Sequence, residues 1–375
     1  MFWQHTGFGV TSRHALYWLE RAPCLGEVVA SIRQDGKLPL DDAKQAATKI
    51  KNRISELLSS ESSTVETHFL YVDTFKVLSK VKQIECVLYG QASPADMDQL
   101  EHDLQDGMEI HALYTEFPGN PLLGSLDLER LYKLSQRFNF HVIVDDTVGT
   151  AVNLDLAPFC DVLCTSLTKM FSGACNVMGG SLTICPNSKS KSALHSTLTS
   201  QYSDTYFPLD LLVMAQNSKD FAERVHIANG NAEAIAAKLR DHPVVDRVFY
   251  PRGSATQHLY DGYRRRRPRA REDEDGQYQA QAGYGYLLSI RFVQDSAAIA
   301  FHDALDVAKG PSLGTNFTLC CPYTVLAHAS ELAWASEFGV VEHLVRLSVG
   351  IERRGELEGA VDRALEVAAK AAQAE

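Results

Sequence analysis

The sequence predicts an α/β protein, with a large domain built on a mostly parallel sheet and a smaller α+β domain after it. Three observations lead there. Short apolar runs alternate with amphipathic segments through most of the chain, several of the runs are almost continuously apolar, and the final third holds further apolar runs and an Ala/Glu-rich helix. Strands covered by helices on both faces read as unbroken apolar runs, and parallel neighbours need a crossover of the kind a helix supplies.

Residues 1–45 lean towards helix but hold little that would build a core, so they read as an arm that packs on something else. From Lys44 to Leu58, "KQAATKIKNRISELL" sets Ile50, Ile54, Leu57 and Leu58 at helical spacing. The alternation then runs through a strand at "IECVLYG", a helix near Ala95–Leu104, a strand at "IHALYTEFP" and a helix at Asp127–Phe138. Strands at "HVIVDD", "DVLCTSL" and "GGSLTIC" complete a large domain over residues 46–225. A long helical region, Pro208 to Leu239, reads as a hinge helix. Beyond it, "VVDRVFYP", "YGYLLSIRFV", "LVRLSVGIE" and the terminal helix form the C-terminal α+β domain over residues 226–375. There are no internal repeats.

Composition narrows the function. The 375 residues are 45% hydrophobic and 22% charged, as in an ordinary globular protein. A net charge of −11 argues against general attraction to nucleic acid or an anionic membrane. No apolar run approaches the ~20 residues of a spanning helix, and "MFWQHTGFGV" lacks a signal-peptide pattern, so a cytoplasmic location is expected. Eight cysteines without a C-x-x-C pair read as reduced thiols, and no histidine stands at zinc-ligand spacing from them. In "RRRRPRAREDEDG", Arg264 to Gly276, the acids cancel most of the arginines' field; it reads as a solvated insertion.

The chemistry concentrates between Val142 and Leu182. One apolar run ends in Asp145, and the next delivers Ser166, Thr168 and Lys169. In open α/β sheets ligands bind beyond the carboxyl ends of the strands, where all four would lie. A carboxylate there holds a ring nitrogen protonated, hydroxyls at i and i+2 bind a phosphate, and a lysine forms a Schiff base with an aldehyde. Those needs together describe pyridoxal 5'-phosphate.

The stretch "VDDT … TSLTKMFSG … NVMGGSL" resembles the lysine segment of the cystathionine gamma-synthase family of pyridoxal-phosphate enzymes. "EFPGNPLL" (Glu116 to Leu123), "GPSLG" (Gly310 to Gly314) and "LVRLSVGIE" (Leu344 to Glu352) are similar to three further family motifs, in the same order. The likeness covers roughly residues 67 to 365, and "YVDTFKVL" and "GTNFTLCCPYTVLAH" look most like its fungal branch. It implies a fold type I transferase that acts on small-molecule amino-acid substrates, as a homo-oligomer arranged as a dimer of dimers. It also implies roles: Lys169 as the Schiff-base lysine and proton shuttle, Asp145 on the pyridine nitrogen, Ser166 and Thr168 on the phosphate. Tyr71 would stack on the ring, Arg346 would clamp the substrate α-carboxylate beside Ser312 and Asn120, and Arg13 would reach a neighbouring subunit's phosphate.

The family pattern breaks before Tyr71. A glycine turn at a helix start normally cradles the phosphate there. This chain has no glycine between Gly36 and Gly90, and Glu61 in "SSESS" would repel phosphate. The expected activity is γ-replacement on an O-acylated homoserine, in transsulfuration towards methionine. A cystathionine lyase, a secondary-metabolic γ-replacement with a carbon or nitrogen nucleophile, and a non-catalytic partner subunit stay open.

Overall fold

A computed structural model of the protein describes residues 40–58, 65–66, 87–90, 93–201, 206–265 and 282–374. The first sheet comprises β1 (Val65–Glu66), β2 (Ala112–Glu116), β3 (His141–Asp145), β4 (Val162–Ser166) and β5 (Gly180–Ile184), in the order β1-β5-β4-β3-β2. Strands β2, β3 and β4 run parallel, whereas β5 is antiparallel to β4 and β1 to β5. Val142 and Val144 of β3 and Leu163 of β4 are buried in the core. The expected strand at "IECVLYG" does not form in its described residues 87–90; Val87 and Leu88 are exposed, and Tyr89 donates its hydroxyl to Asp103 instead.

Local chemistry explains the helices around this sheet. Helix α1 (Leu40–Leu58) buries Ala43, Ala46, Ile50 and Ile54 at helical spacing. Helix α2 (Pro94–Gln105) starts with a reciprocal capping box between Ser93 and Asp96, with proline in its first turn. Helix α3 (Leu128–Phe138) is capped by Asp127, which accepts from the Arg130 N–H at 2.9 Å, and ends at Asn139 with φ +60°. Helix α4 (Lys191–Gln201) follows β5.

The helical region expected from Pro208 to Leu239 is two helices, α5 (Pro208–Asn217) and α6 (Phe221–Arg240). In an unbroken helix the Asn217 carbonyl would accept from residue 221. Here it accepts from Arg224 Nη2 at 2.9 Å, and the Phe221 N–H turns to Ser218.

The second sheet has the order β6-β7-β10-β9-β8, from β6 (Val245–Phe249), β7 (Leu287–Phe292), β8 (Ala308–Lys309), β9 (Leu319–Pro322) and β10 (Val345–Ser348). Its pairings are antiparallel except β8 with β9. Helix α7 (Gln257–Tyr263) and helix α8 (Asp295–Ala304) flank β7 in sequence, and the final helix α9 (Arg354–Ala374) packs on α8. Helix α8 buries Ala297, Ala298 and Phe301 and helix α9 buries Ala360, Ala364 and Ala368; small buried side chains let packed helices approach closely.

A buried pair of amides joins the two sheets' connections. Asn153 and Asn229 exchange hydrogen bonds at 3.2 and 2.8 Å. Asn153 also accepts the Arg265 N–H on its carbonyl (2.8 Å) and the Gly283 N–H on Oδ1 (2.9 Å). The described residues on either side of 266–281 therefore meet at one residue. Among the described residues, no helix is long and apolar enough to cross a membrane, and no cluster of three His, Cys, Asp or Glu groups suits a metal ion.

Candidate active site

Three neighbouring strands end in a row. Glu116 pairs in register with Asp145, Asp145 with Cys164, and Ser166 lies two residues further along β4. The loop after β3 folds back over these ends. The Thr147 N–H donates to Asp145 Oδ1 at 2.9 Å, and the Ser166 N–H donates to Thr147 Oγ1 at 2.8 Å. Burial pushes the Asp145 carboxyl up, while Thr147 and the charge of Lys169 pull it back. Next to it, burial and the charge of Asp145 push Asp146 up to about 7, although the Thr165 hydroxyl donates to it.

Lys169 stands in a tight turn (167–171) directly after β4, with non-helical φ −82° and ψ −132°. Its carbonyl accepts from Gly173 at 2.7 Å, and Nζ donates to Ser312 Oγ at 3.1 Å. Only 2% of the residue is exposed. Burial, followed by the Arg346 charge, pushes the amine down to about 8, so near neutrality far more of it is in the neutral form than in an ordinary lysine. Gly314 makes this packing possible. It sits at φ +68°, and a Cβ there would lie 2.5 Å from the Met170 nitrogen.

Arg346 comes from the second sheet and is buried. Nη1 donates to Asn120 Oδ1 at 3.0 Å, while Nη2 donates to the Pro311 and Ser312 carbonyls, the latter at 3.3 Å. The Tyr323 ring lies 4.6 Å from the guanidinium carbon. These partners fix the plane of the fork, and a fork so held suits a carboxylate.

The structure thus brings Lys169, Asp145, Ser166, Ser312, Asn120 and Arg346 to the junction of the two sheets. Thr168 is next to Lys169, but its hydroxyl donates to the Gly179 carbonyl (3.2 Å) and accepts from the Gly179 N–H (3.0 Å). Tyr71, Arg13 and the glycine-free stretch before Tyr71 lie outside the described residues.

Sequence reasoning missed four groups here: Glu116, Thr147, Tyr286 and Arg224. Tyr286 donates its hydroxyl to the Thr147 carbonyl at 3.0 Å and so ties β7 to the loop after Asp145. Arg224 holds the lysine turn from behind. It donates to the carbonyls of Met170 (2.7 Å), Phe171 (2.9 Å) and Asn217, and also to Asn316 Oδ1 and Asp220. Arg224→Leu should strand these carbonyls, at roughly 1–3 kcal/mol for each group that stays dry. We expect a loss of about 3–5 kcal/mol, read as a lower denaturant midpoint. An unchanged midpoint would show that the clamp is dispensable.

The donor set fits pyridoxal phosphate. A buried amine with a lowered pKa suits an aldehyde, a carboxylate among parallel strand ends suits a pyridinium nitrogen, and the buried Ser166 hydroxyl suits a phosphate oxygen.

Comparison with known proteins agrees. Residues 42–366 match the family described as Cys/Met metabolism PLP-dependent enzyme. The chain is 44% identical over 315 residues to cystathionine gamma-synthase of Neurospora crassa, a match covering 84% of this chain and 48% of that protein. It therefore spans about half the length of that relative. It is 39% identical to the cystathionine gamma-synthase-like protein ankD of Aspergillus thermomutatus, over 97% of this chain and 71% of that one. That alignment runs to 412 positions against the 375 residues here, so the relative carries segments that this chain lacks. In fold, the chain resembles cystathionine gamma synthase from Xanthomonas oryzae pv. oryzae in complex with cystathionine, with a TM-score of 0.69, 20% identity and 85% of each chain covered.

Proposed function

The chain belongs to the Cys/Met metabolism PLP-dependent enzyme family, and we propose that within it the protein performs γ-replacement on an O-acylated homoserine. A thiol such as that of cysteine takes the place of the γ-acyloxy group, which leaves as a carboxylate when the bond from the γ-carbon to oxygen breaks, and gives cystathionine, in transsulfuration towards methionine. The observation that carries this reading is that Lys169 and Arg346, from separate segments, meet at Ser312, through its hydroxyl and its carbonyl respectively, with Asp145 at the neighbouring strand end and within reach of the Lys169 charge.

Pyridoxal phosphate, when bound, supplies an aldehyde for amines and a ring that accepts electron density. The protein's own residues do the rest. Asp145 would hold the ring nitrogen of the bound cofactor and keep a proton on it. Lys169 takes the substrate α-proton and then assists at the β-carbon. Arg346 grips the α-carboxylate, with Asn120 and Ser312 holding its plane. Ser166 would bind the phosphate, and Thr168 would join it only by giving up the hydrogen bond its hydroxyl donates to Gly179. Tyr71 would stack on the ring, and Arg13 would reach the phosphate from a neighbouring subunit. On this reading the protein is a cytoplasmic homo-oligomer, a dimer of dimers, with a larger cofactor-binding domain and a smaller C-terminal one.

A second reading, secondary-metabolic γ-replacement with a carbon or nitrogen nucleophile, would use the same Lys169, Asp145 and Arg346, which act on the amino-acid part of the substrate and not on the nucleophile. The test is product analysis on protein saturated with pyridoxal phosphate. It is given O-acylated homoserine with cysteine, then with a carbon acid in place of the thiol, then cystathionine alone. Cystathionine in the first mixture is the expected product. Preferential use of the carbon acid selects the second reading, and breakdown of cystathionine without synthesis selects a lyase. Absence of turnover, with no cofactor fixed to Lys169 by borohydride, leaves only the partner-subunit role.

A further inference from the structure

Glu116 ends β2 as Asp145 ends β3, and the two are register partners. Glu116 Oε2 accepts from the Asn120 N–H at 3.0 Å, and Asn120 Oδ1 accepts from Arg346 Nη1 at 3.0 Å. One short segment, Glu116 to Asn120, therefore links the acid beside Asp145 to the guanidinium on the opposite wall. Asp145 from β3 and Arg346 from β10 face Glu116 directly. Lys169, from the turn after β4, and Tyr286, from β7, in turn face Asp145 and Arg346.

We propose that Glu116 is a positioning residue for the substrate-carboxylate clamp. Ionised, it holds Asn120 and offsets the Arg346 charge; protonated, it gives that charge up to the incoming carboxylate. The inference rests on the reading of Arg346 as the carboxylate clamp. Although solvent reaches Glu116, the protein wall and then Asp145 push its carboxyl up to about 7. A substrate carboxylate beside Arg346 adds a further negative charge, which favours the protonated acid. Carboxylate binding at neutral pH should therefore take up a proton, by linkage between the two equilibria.

The probe is butyrate, the deaminated parent of a homoserine, titrated calorimetrically into holoenzyme in buffers of different ionisation enthalpy. Wild type should take up roughly half a proton at pH 7, because an acid titrating near 7 is half ionised there. Its affinity should weaken about three- to tenfold from pH 6 to pH 8 as like charges come to face each other. Glu116→Gln should show no uptake and a flat affinity, whereas Glu116→Asp, which keeps the charge, should retain uptake. If Glu116→Gln takes up as much proton as wild type, the role of Glu116 is overturned and the clamp stands. If butyrate binds neither wild type nor Glu116→Gln, the clamp itself is overturned, and this inference with it.

Discussion

Lys169→Ala should reduce turnover by about 10⁴-fold, the upper range for removing a positioned acid–base group, while the protein stays folded. The amine is buried and its pKa lowered, both of which serve proton transfer and neither of which a solvated lysine would show. The turn that carries it is held by its backbone, through Gly173, Arg224 and the close approach of Gly314. Truncating the side chain removes one hydrogen bond to Ser312 and leaves that scaffold in place. The measurement is turnover at saturating cofactor, with small amines such as methylamine added to restore part of the rate. Turnover close to wild type would take the proton-transfer role away from Lys169.

Asp145→Asn should cost at least ~100-fold in turnover, the order found when a preorganised charge partner is removed from a reacting centre. A carboxamide oxygen can still accept from the Thr147 N–H, so the loop after β3 should hold its path. What disappears is the negative charge that stabilises a proton on the ring nitrogen. Glu116, one strand away, is tied to Asn120 and does not take over that task. Turnover with equal amounts of bound cofactor checks the prediction. If activity survives, some other group keeps that nitrogen protonated.

The legible parts of the molecule share a physical cause. "HVIVD" alternates buried Val142 and Val144 with more open neighbours, so both the strand and the acid at its end can be read from these five residues. Lys169 and its hydroxyls are equally local, lying at the end of β4 and in the turn directly after it. Arg224 is the opposite case. In sequence it looks like one more charge on a long helix, because its main partners, Met170, Phe171 and Asn316, lie 54, 53 and 92 residues away. Tyr286 was readable only as a strand aromatic, since its partner Thr147 is 139 residues distant. Glu116 sat within a legible motif, yet its significance depends on a strand pairing and on a backbone turn that brings Asn120 back to it. The break between α5 and α6 was hidden for the same reason: a side chain from the next helix competes for the Asn217 carbonyl.

The meeting of Arg265 and Gly283 at Asn153 bears on how such a chain can change over generations. A single buried asparagine receives the Arg265 and Gly283 N–H groups, so the described residues that bracket 266–281 are held together at one point. Lengthening a loop whose ends are already pinned costs only about 0.6 kcal/mol per doubling. Selection is therefore free to lengthen, shorten or recharge residues 266–281 while Asp145, Thr147 and Tyr286 remain in place. The Asn153 side chain has no such freedom: its amide serves Asn229 and the Gly283 N–H at once, while its main-chain carbonyl takes the Arg265 N–H, and a side chain without an amide would leave Asn229 or Gly283 unserved.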